Sequence, residues 1–266
     1  VIAGASIGNL FLAGMVPGII LALALCIYVC YIANKRNYPS GRKYAGMEFI
    51  KMTVSAVPAL LTPIILLMGI YTGIMTATEA GAVAALYALL ISVFAYRSIT
   101  LSEFIQVLKN TVKSTGQIGI MLGAAYVFSY VIAVENLPSL AGNLILSFAT
   151  TKVSFLVFVN ILLFILGMLL DSAVLQLVLL PILCPIAQSF GIDMVHFGVV
   201  FTLNTMIGLC TPPFGMLLFI VTGISGEKMN TIIKEVMPMV FVMVLVLILV
   251  TFVPDVIMWL PRLFGR

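Results

Sequence analysis

Long apolar runs alternate with short polar interruptions along the whole chain. The runs fall near residues 10–33, 52–72, 79–96, 116–134, 153–170, 172–190, 195–223 and 236–254. Crossing the hydrocarbon takes about 20 apolar residues per helix, so the runs predict about six to eight membrane elements, some entering without crossing. Two interruptions share one pattern, Gly73-Ile74-Met75-Thr76 and Gly208-Leu209-Cys210-Thr211, the second followed at once by Pro212-Pro213. An unwound stretch at membrane depth survives only where protein, a cavity or a bound ion satisfies its backbone polar groups. Function is therefore sought at these breaks.

The run pair 153–190 has a polar tip at Gly167–Ser172 and polar ends, Thr151-Lys152 and Gly191-Ile192-Asp193, the pattern of a helical hairpin. Two conventional spans with an external loop are the alternative, and Pro181 and Pro185 bend the second arm in either case. Segment 195–223 is too polar and proline-rich for one regular helix, with Asn204-Thr205 and then Gly208 to Gly215 at its middle. A discontinuous helix is expected, with Gly208 allowing a C-terminal turn, Thr211 as N-cap and Pro212 opening the restarted helix. Such a break offers carbonyls and the Thr211 hydroxyl to a hard cation such as Na⁺, and a helix N-terminus to an anion. A purely structural proline kink is the plainer alternative.

Two stretches have amphipathic spacing. In 101–113, Leu101, Phe104, Ile105, Leu108 and Val112 share one face, with Glu103, Lys109 and Lys113 elsewhere. In 226–236, Met229, Ile232, Ile233 and Val236 oppose Lys228, Lys234 and Glu235. Both are expected to lie along the membrane surface.

Composition fixes the solvent. Hydrophobic residues make up 63% and charged residues 8%, the mean hydropathy is +1.26, and soluble domains carry about 25% charged residues. The chain is a polytopic membrane protein. Its net charge of +4 matters less than its placement, because Lys35, Arg36, Arg42 and Lys43 cluster in one short loop that should face the cytoplasm. Arg97, Lys109 and Lys113 form a second basic group. If both are cytoplasmic, 52–96 enters and returns, as two spans or as a re-entrant pair bent near Thr72-Gly73. Cys26, Cys30, Cys184 and Cys210 all lie in apolar runs and read as small apolar filler. His196, at the start of a run beside Asp193, is expected at the interface. The sequence holds no nucleotide loop, metal cluster or catalytic triad, so an enzyme is not expected.

Glu79 and Asp171 are acids flanked by apolar sequence, and an unpaired buried carboxylate costs several kcal/mol. Asp171 can cap the helix after it, and Glu79 falls in the first turn of a helix, where a carboxylate suits the positive end. Capping and ion binding are compatible. The chain opens with Val1-Ile2-Ala3-Gly4, without an initiating methionine or basic leader, and is expected to be a fragment or one half of a larger protein, as in transporters built from two similar halves.

Taken together, the runs Gly73–Val83, Gly167–Ser172, Gly191–Val199 and Gly208–Gly215 resemble, in order and spacing, the large membrane subunit of TRAP (tripartite ATP-independent periplasmic) transporters. Ala77 stands where that family usually has proline. The resemblance starts after the first repeat's own proline-rich break, so it covers the C-terminal portion with the second inverted repeat. It implies an all-α, polytopic elevator fold of the ion-transporter-superfamily type, with a re-entrant hairpin and a discontinuous helix. The implied organisation is a scaffold with arm helices over 1–150, broken near 72–78. A transport unit over 151–223 follows, with hairpin 153–190 and broken helix 195–223, then an arm and a terminal transmembrane helix over 224–266. It further implies Na⁺-coupled import of organic acids, such as C4-dicarboxylates, sialic acid or other sugar acids, across the bacterial inner membrane. The implied partners are a periplasmic substrate-binding protein, a small four-helix membrane subunit and the lipid bilayer, with no nucleic acid. Carried over residue by residue, Na⁺ falls to Gly167, Gly208 and Thr211, with Asp171, Asn204, Pro212, Gly73 and Thr76 as weaker candidates. The substrate end falls to Thr211, Pro212, Pro213, Asp171 and Ser172. An ion channel would show repeated polar rings, which the sequence lacks, and a scaffold subunit has no use for facing polar tips.

Overall fold

The computed structural model describes residues 4–38, 41, 46–135, 145 and 149–264. Among the described residues all regular structure is helical. In chain order the helices are α1 (Ile7–Lys35), α2 (Gly46–Tyr71), α3 (Ala77–Leu90, continued by a π-turn at Ile91–Ala95), α4 (Leu101–Val134), α5 (Lys152–Gly167), α6 (Ser172–Ser189), α7 (Met194–Leu209), α8 (Met216–Ser225), α9 (Met229–Phe252) and α10 (Asp255–Phe264). Six are long and apolar enough to cross a membrane, namely α1, α2, α3 with its π-turn, α4, α6 and α9, whereas α5, α7 and α8 are shorter. The chain is a multi-pass membrane protein.

The helices form two compact units, residues 37–119 and residues 1–36 with 120–266. In the larger unit α1 packs on α7, α9 and α10. Residues 101–113 form the first turns of α4, and residues 229–236 run through Pro238 as the start of α9.

In the smaller unit, α2 stops at Gly73, whose φ of +71° only glycine adopts freely. The chain re-enters helix at Thr76, whose hydroxyl accepts from the Glu79 amide at 3.3 Å while Glu79 Oε2 accepts from the Thr76 amide at 2.8 Å and the Thr76 hydroxyl at 2.9 Å. This reciprocal capping box satisfies two otherwise orphaned amides. Tyr96 and Tyr87 then donate to the Ser55 and Pro58 carbonyls of α2, at 2.7 and 3.0 Å.

The larger unit is built around α5 and α7. Contacts pair Phe155 with Phe197, Asn160 with Asn204 and Gly167 with Gly208, all in ascending order, so the two helices run parallel. α6 is the returning arm between them, and Phe155 also stacks on Phe190 at its far end, 5.1 Å between ring centres. Lipid offers apolar side chains nearly the same surroundings as protein does, so close packing and hydrogen bonds hold this seam rather than water exclusion. Thr151, Asp171 and Asp193 cap α5, α6 and α7 in turn.

His196 is buried among protein side chains in the first turn of α7. Its Nε2 donates to the Val250 carbonyl at 3.0 Å. The helical donor for that carbonyl would come four residues on, from Pro254, which has no N–H. The imidazole fills the vacancy and ties α7 to the end of α9. α10, which the hydropathy pattern does not reveal, buries Ile257, Met258 and Pro261 and pairs Asp255 with Arg262 at 2.7 Å on its outer side.

A hairpin tip seated on a broken helix

α5 and α7 bring their C-terminal ends to the same point. A Cβ on Gly208 would lie 2.6 Å from the Gly167 carbonyl carbon and 2.7 Å from its Cα, and one on Gly167 would lie 3.3 Å from the Gly208 Cα. Backbone packs directly on backbone here, which only glycine permits on the α7 side. The chain leaves helix at 168–171 between α5 and α6 and at 210–215 between α7 and α8.

Where the second helix restarts differs from expectation. α7 ends at Leu209, residues 211–214 form a turn, and α8 begins at Met216 with Gly215 as N-cap at φ +50°. Thr211 is not an N-cap. A residue before proline is pushed out of the α region, so Pro213 keeps Pro212 from opening a helix, and the restart waits until both prolines are passed. The Thr211 hydroxyl instead donates back to the Ile207 carbonyl at 2.8 Å.

The same prolines expose oxygen. The carbonyls of Gly208 and Leu209 lie four residues before Pro212 and Pro213, which carry no N–H. Gly208 O is recovered by the Thr211 amide at 2.9 Å. Among the described residues the carbonyls of Gly167, Leu209 and Cys210 accept no hydrogen bond. Gly167 and Leu209 are buried residues and Cys210 is half-buried, and unpaired carbonyls in buried residues are scarce in folded proteins. The Gly215 amide reaches across to the Met168 carbonyl at 3.3 Å, joining tip to break. A cleft of about 180 Å³ opens beside them, lined by Gly167, Leu170, Leu209, Phe214 and Met216 among others.

The sequence-derived candidates sort accordingly. Gly167, Gly208 and Thr211 meet at the junction. Asp171 stands at its edge, its carboxylate accepting from the Ala173 amide at 2.8 Å. Ser172 is buried and turned to α7, where its hydroxyl lies 3.1 Å from that of Thr205. Asn204 faces α5 and donates to Asn160 Oδ1 at 2.7 Å and the Asn160 carbonyl at 2.9 Å. Gly73 and Thr76 belong to the smaller unit, occupied in ending α2 and starting α3. Asn160, Gln176 and Thr205 escaped the candidate set, although the Asn204-Thr205 pair was visible as polarity inside an apolar run.

Residues 1–256 match the family described as "Tripartite ATP-independent periplasmic transporter, DctM component". The chain belongs to the DctM family of TRAP transporter large permeases. It is 39% identical over 264 residues to the sialic acid TRAP transporter large permease protein SiaM of Vibrio cholerae, covering 99% of this chain and 62% of that protein. It is 35% identical over 260 residues to the C4-dicarboxylate TRAP transporter large permease protein DctM of Pseudomonas aeruginosa, covering 98% and 61%. Against the sialic acid TRAP transporter permease protein SiaT of Haemophilus influenzae the identity is 36%, covering 99% and 43%. The chain thus spans about three fifths of the large permeases it matches.

Proposed function

We propose that this DctM chain forms the second-repeat half of a Na⁺-coupled importer of organic acids in the bacterial inner membrane. The observation that carries the reading is the junction of Gly167 with Gly208, where two helix C-termini end in unpaired carbonyls within one cleft. A hard cation takes oxygen donors, and Gly167, Gly208, Leu209 and the lone pairs of Thr211 Oγ1 form such a set. A bound Na⁺ supplies positive charge beside the N-terminus of α8, which offsets part of the desolvation of a substrate carboxylate. Ion and acid then bind with mutual, reciprocal strengthening. The backbone contact between tip and break lets α5–α6 and α7–α8 travel together, as an elevator mechanism requires. The named substrates of the relatives, sialic acid and C4-dicarboxylates, favour a carboxylate cargo. Delivery by a periplasmic binding protein and assembly with a small membrane subunit complete the proposal.

The test is uptake into proteoliposomes of the whole permease that carries this chain, with its small subunit and binding protein, with and without a Na⁺ gradient. Uptake that needs Na⁺, with a raised half-saturating Na⁺ in Thr211→Ala, is expected. Uptake indifferent to Na⁺ in the wild type overturns the coupling.

A further inference from the structure

Thr205 touches both ends of the hairpin tip. Its Cα and its carbonyl oxygen are the atoms nearest to a Cβ built on Gly167, each at 3.4 Å after the Gly208 Cα, so it packs on the residue that ends α5. Its hydroxyl meets Ser172, the first residue of α6, at 3.1 Å. Residues 168–171, which form the tip, are therefore strung between two points that both rest on one residue of α7, the first on its backbone and the second on its hydroxyl.

The direction of the hydrogen bonds follows from the number of protons. Thr205 Oγ1 has one proton and lies 3.1 Å from the Phe201 carbonyl and 3.0 Å from the Thr202 carbonyl, both acceptors only. That proton goes to its own helix, so Ser172 is the donor to Thr205. Gln176 Nε2, at 3.3 Å, donates in turn to Ser172. The chain runs Gln176 to Ser172 to Thr205 to a carbonyl of α7, with each hydroxyl both donating and accepting. Thr205 is wholly buried and Ser172 nearly so, and the protons of both hydroxyls are spent on these bonds.

Resting on the Na⁺ reading above, we propose that Thr205 is the positioning residue of that site. It does not bind the ion. Its backbone packs on Gly167, and its hydroxyl, through Ser172, keeps the start of α6, and with it the tip, from swinging away. The oxygen cage then keeps one size, and cage size discriminates Na⁺ from the smaller Li⁺. A hydroxyl that merely stabilised the fold would change expression or melting without changing which ion is preferred.

The experiment measures Na⁺-driven and Li⁺-driven uptake in the reconstituted whole permease with its partners, for wild type, Thr205→Val, Thr205→Ser, Ser172→Ala and Thr205→Val/Ser172→Ala. Thr205→Val keeps the shape and removes the hydroxyl. It is expected to raise half-saturating Na⁺ about three- to tenfold, the scale of one lost hydrogen bond, and to narrow the Na⁺ over Li⁺ preference. Ser172→Ala cuts the same bond from the other side at a helix start that tolerates alanine, so it carries the test should Thr205→Val fail to assemble. The double variant adds little to either single one, and Thr205→Ser restores the wild-type ion preference. Wild-type half-saturation and ion preference in assembled Thr205→Val or Ser172→Ala overturns the positioning role while leaving Na⁺ coupling intact. A wild-type permease that ignores Na⁺ overturns both.

Discussion

Asn160 and Asn204 face each other across the parallel α5–α7 seam, the Asn204 amide nitrogen 2.7 Å from Asn160 Oδ1. Asn160 passes its own amide protons to the Leu156 carbonyl at 2.8 Å and to Thr251 Oγ1 at 3.4 Å, linking α5, α7 and α9. Asn204 Oδ1 is buried without a partner among the described residues. Replacing one member strands the other, so Asn160→Leu and Asn204→Leu are each expected to cost about 0.5–2 kcal/mol. Because the second substitution removes the group that the first left stranded, the double variant should fall well short of the sum. Thermal unfolding of the detergent-solubilised protein measures all three.

Gly208→Ala should be the most damaging glycine substitution at the junction. Its Cβ would stand 2.6 Å from backbone that has no rotamer to give way, whereas the tightest contact for Gly167→Ala is 3.3 Å. The expected cost is about 1–3 kcal/mol for Gly208→Ala, with a smaller loss for Gly167→Ala and none for Gly119→Ala, where nothing lies within 4 Å. Comparing Na⁺-dependent uptake with the melting temperature across the three variants checks the order.

The Thr76 and Glu79 capping box should serve the start of α3 rather than an ion. Thr76→Ala is expected to speed hydrogen exchange of the amides at residues 77–79 and to leave half-saturating Na⁺ unchanged. A shifted Na⁺ requirement would return Thr76 to the ion-site candidates.

Arg36, at the end of α1, pairs with Glu235 of α9 at 2.7 Å, with both side chains about half exposed (44% and 50%). Exposed pairs contribute about 0.2–1 kcal/mol and weaken with salt. Arg36→Glu is expected to lower stability by that modest amount at low ionic strength, and Arg36→Glu/Glu235→Arg to recover most of it. A melting series at two salt concentrations decides.

The interruptions at 168–171 and 210–215 were legible because glycine and polar residues, with two prolines at the second, stand inside otherwise apolar runs, which hydrocarbon does not tolerate without cause. The break at Gly73 and the place of Glu79 in a first helical turn were legible for a related reason, since stop and start signals are local, whereas Thr76 was not read as the cap. Asn160 was not. A lone asparagine in an apolar helix looks the same whether it meets lipid or Asn204, and only the parallel register of two helices 44 positions apart brings the two together. The partner of His196 was not legible either, because it is the Val250 carbonyl, left open by Pro254 beyond the end of α9. Thr211 was read as a cap from residue type alone, and the double proline after it postponed the restart. Thr205 was seen but left out of the candidate set, because its work is done on Gly167 and Ser172, which are near it only after folding.

The parallel course of α5 and α7 has an electrical consequence. Each helix C-terminus carries about half a negative charge and each N-terminus about half a positive one. The junction gathers two of the first kind, at Gly167 and Leu209, and two of the second, at Ser172 and Met216. The four ends sum to nearly zero. On the proposed cycle the protein's own backbone then moves almost no charge through the membrane field, whether the junction travels loaded or empty. The current recorded per turnover would report only the ions and acid on board, so its size would count the cargo directly.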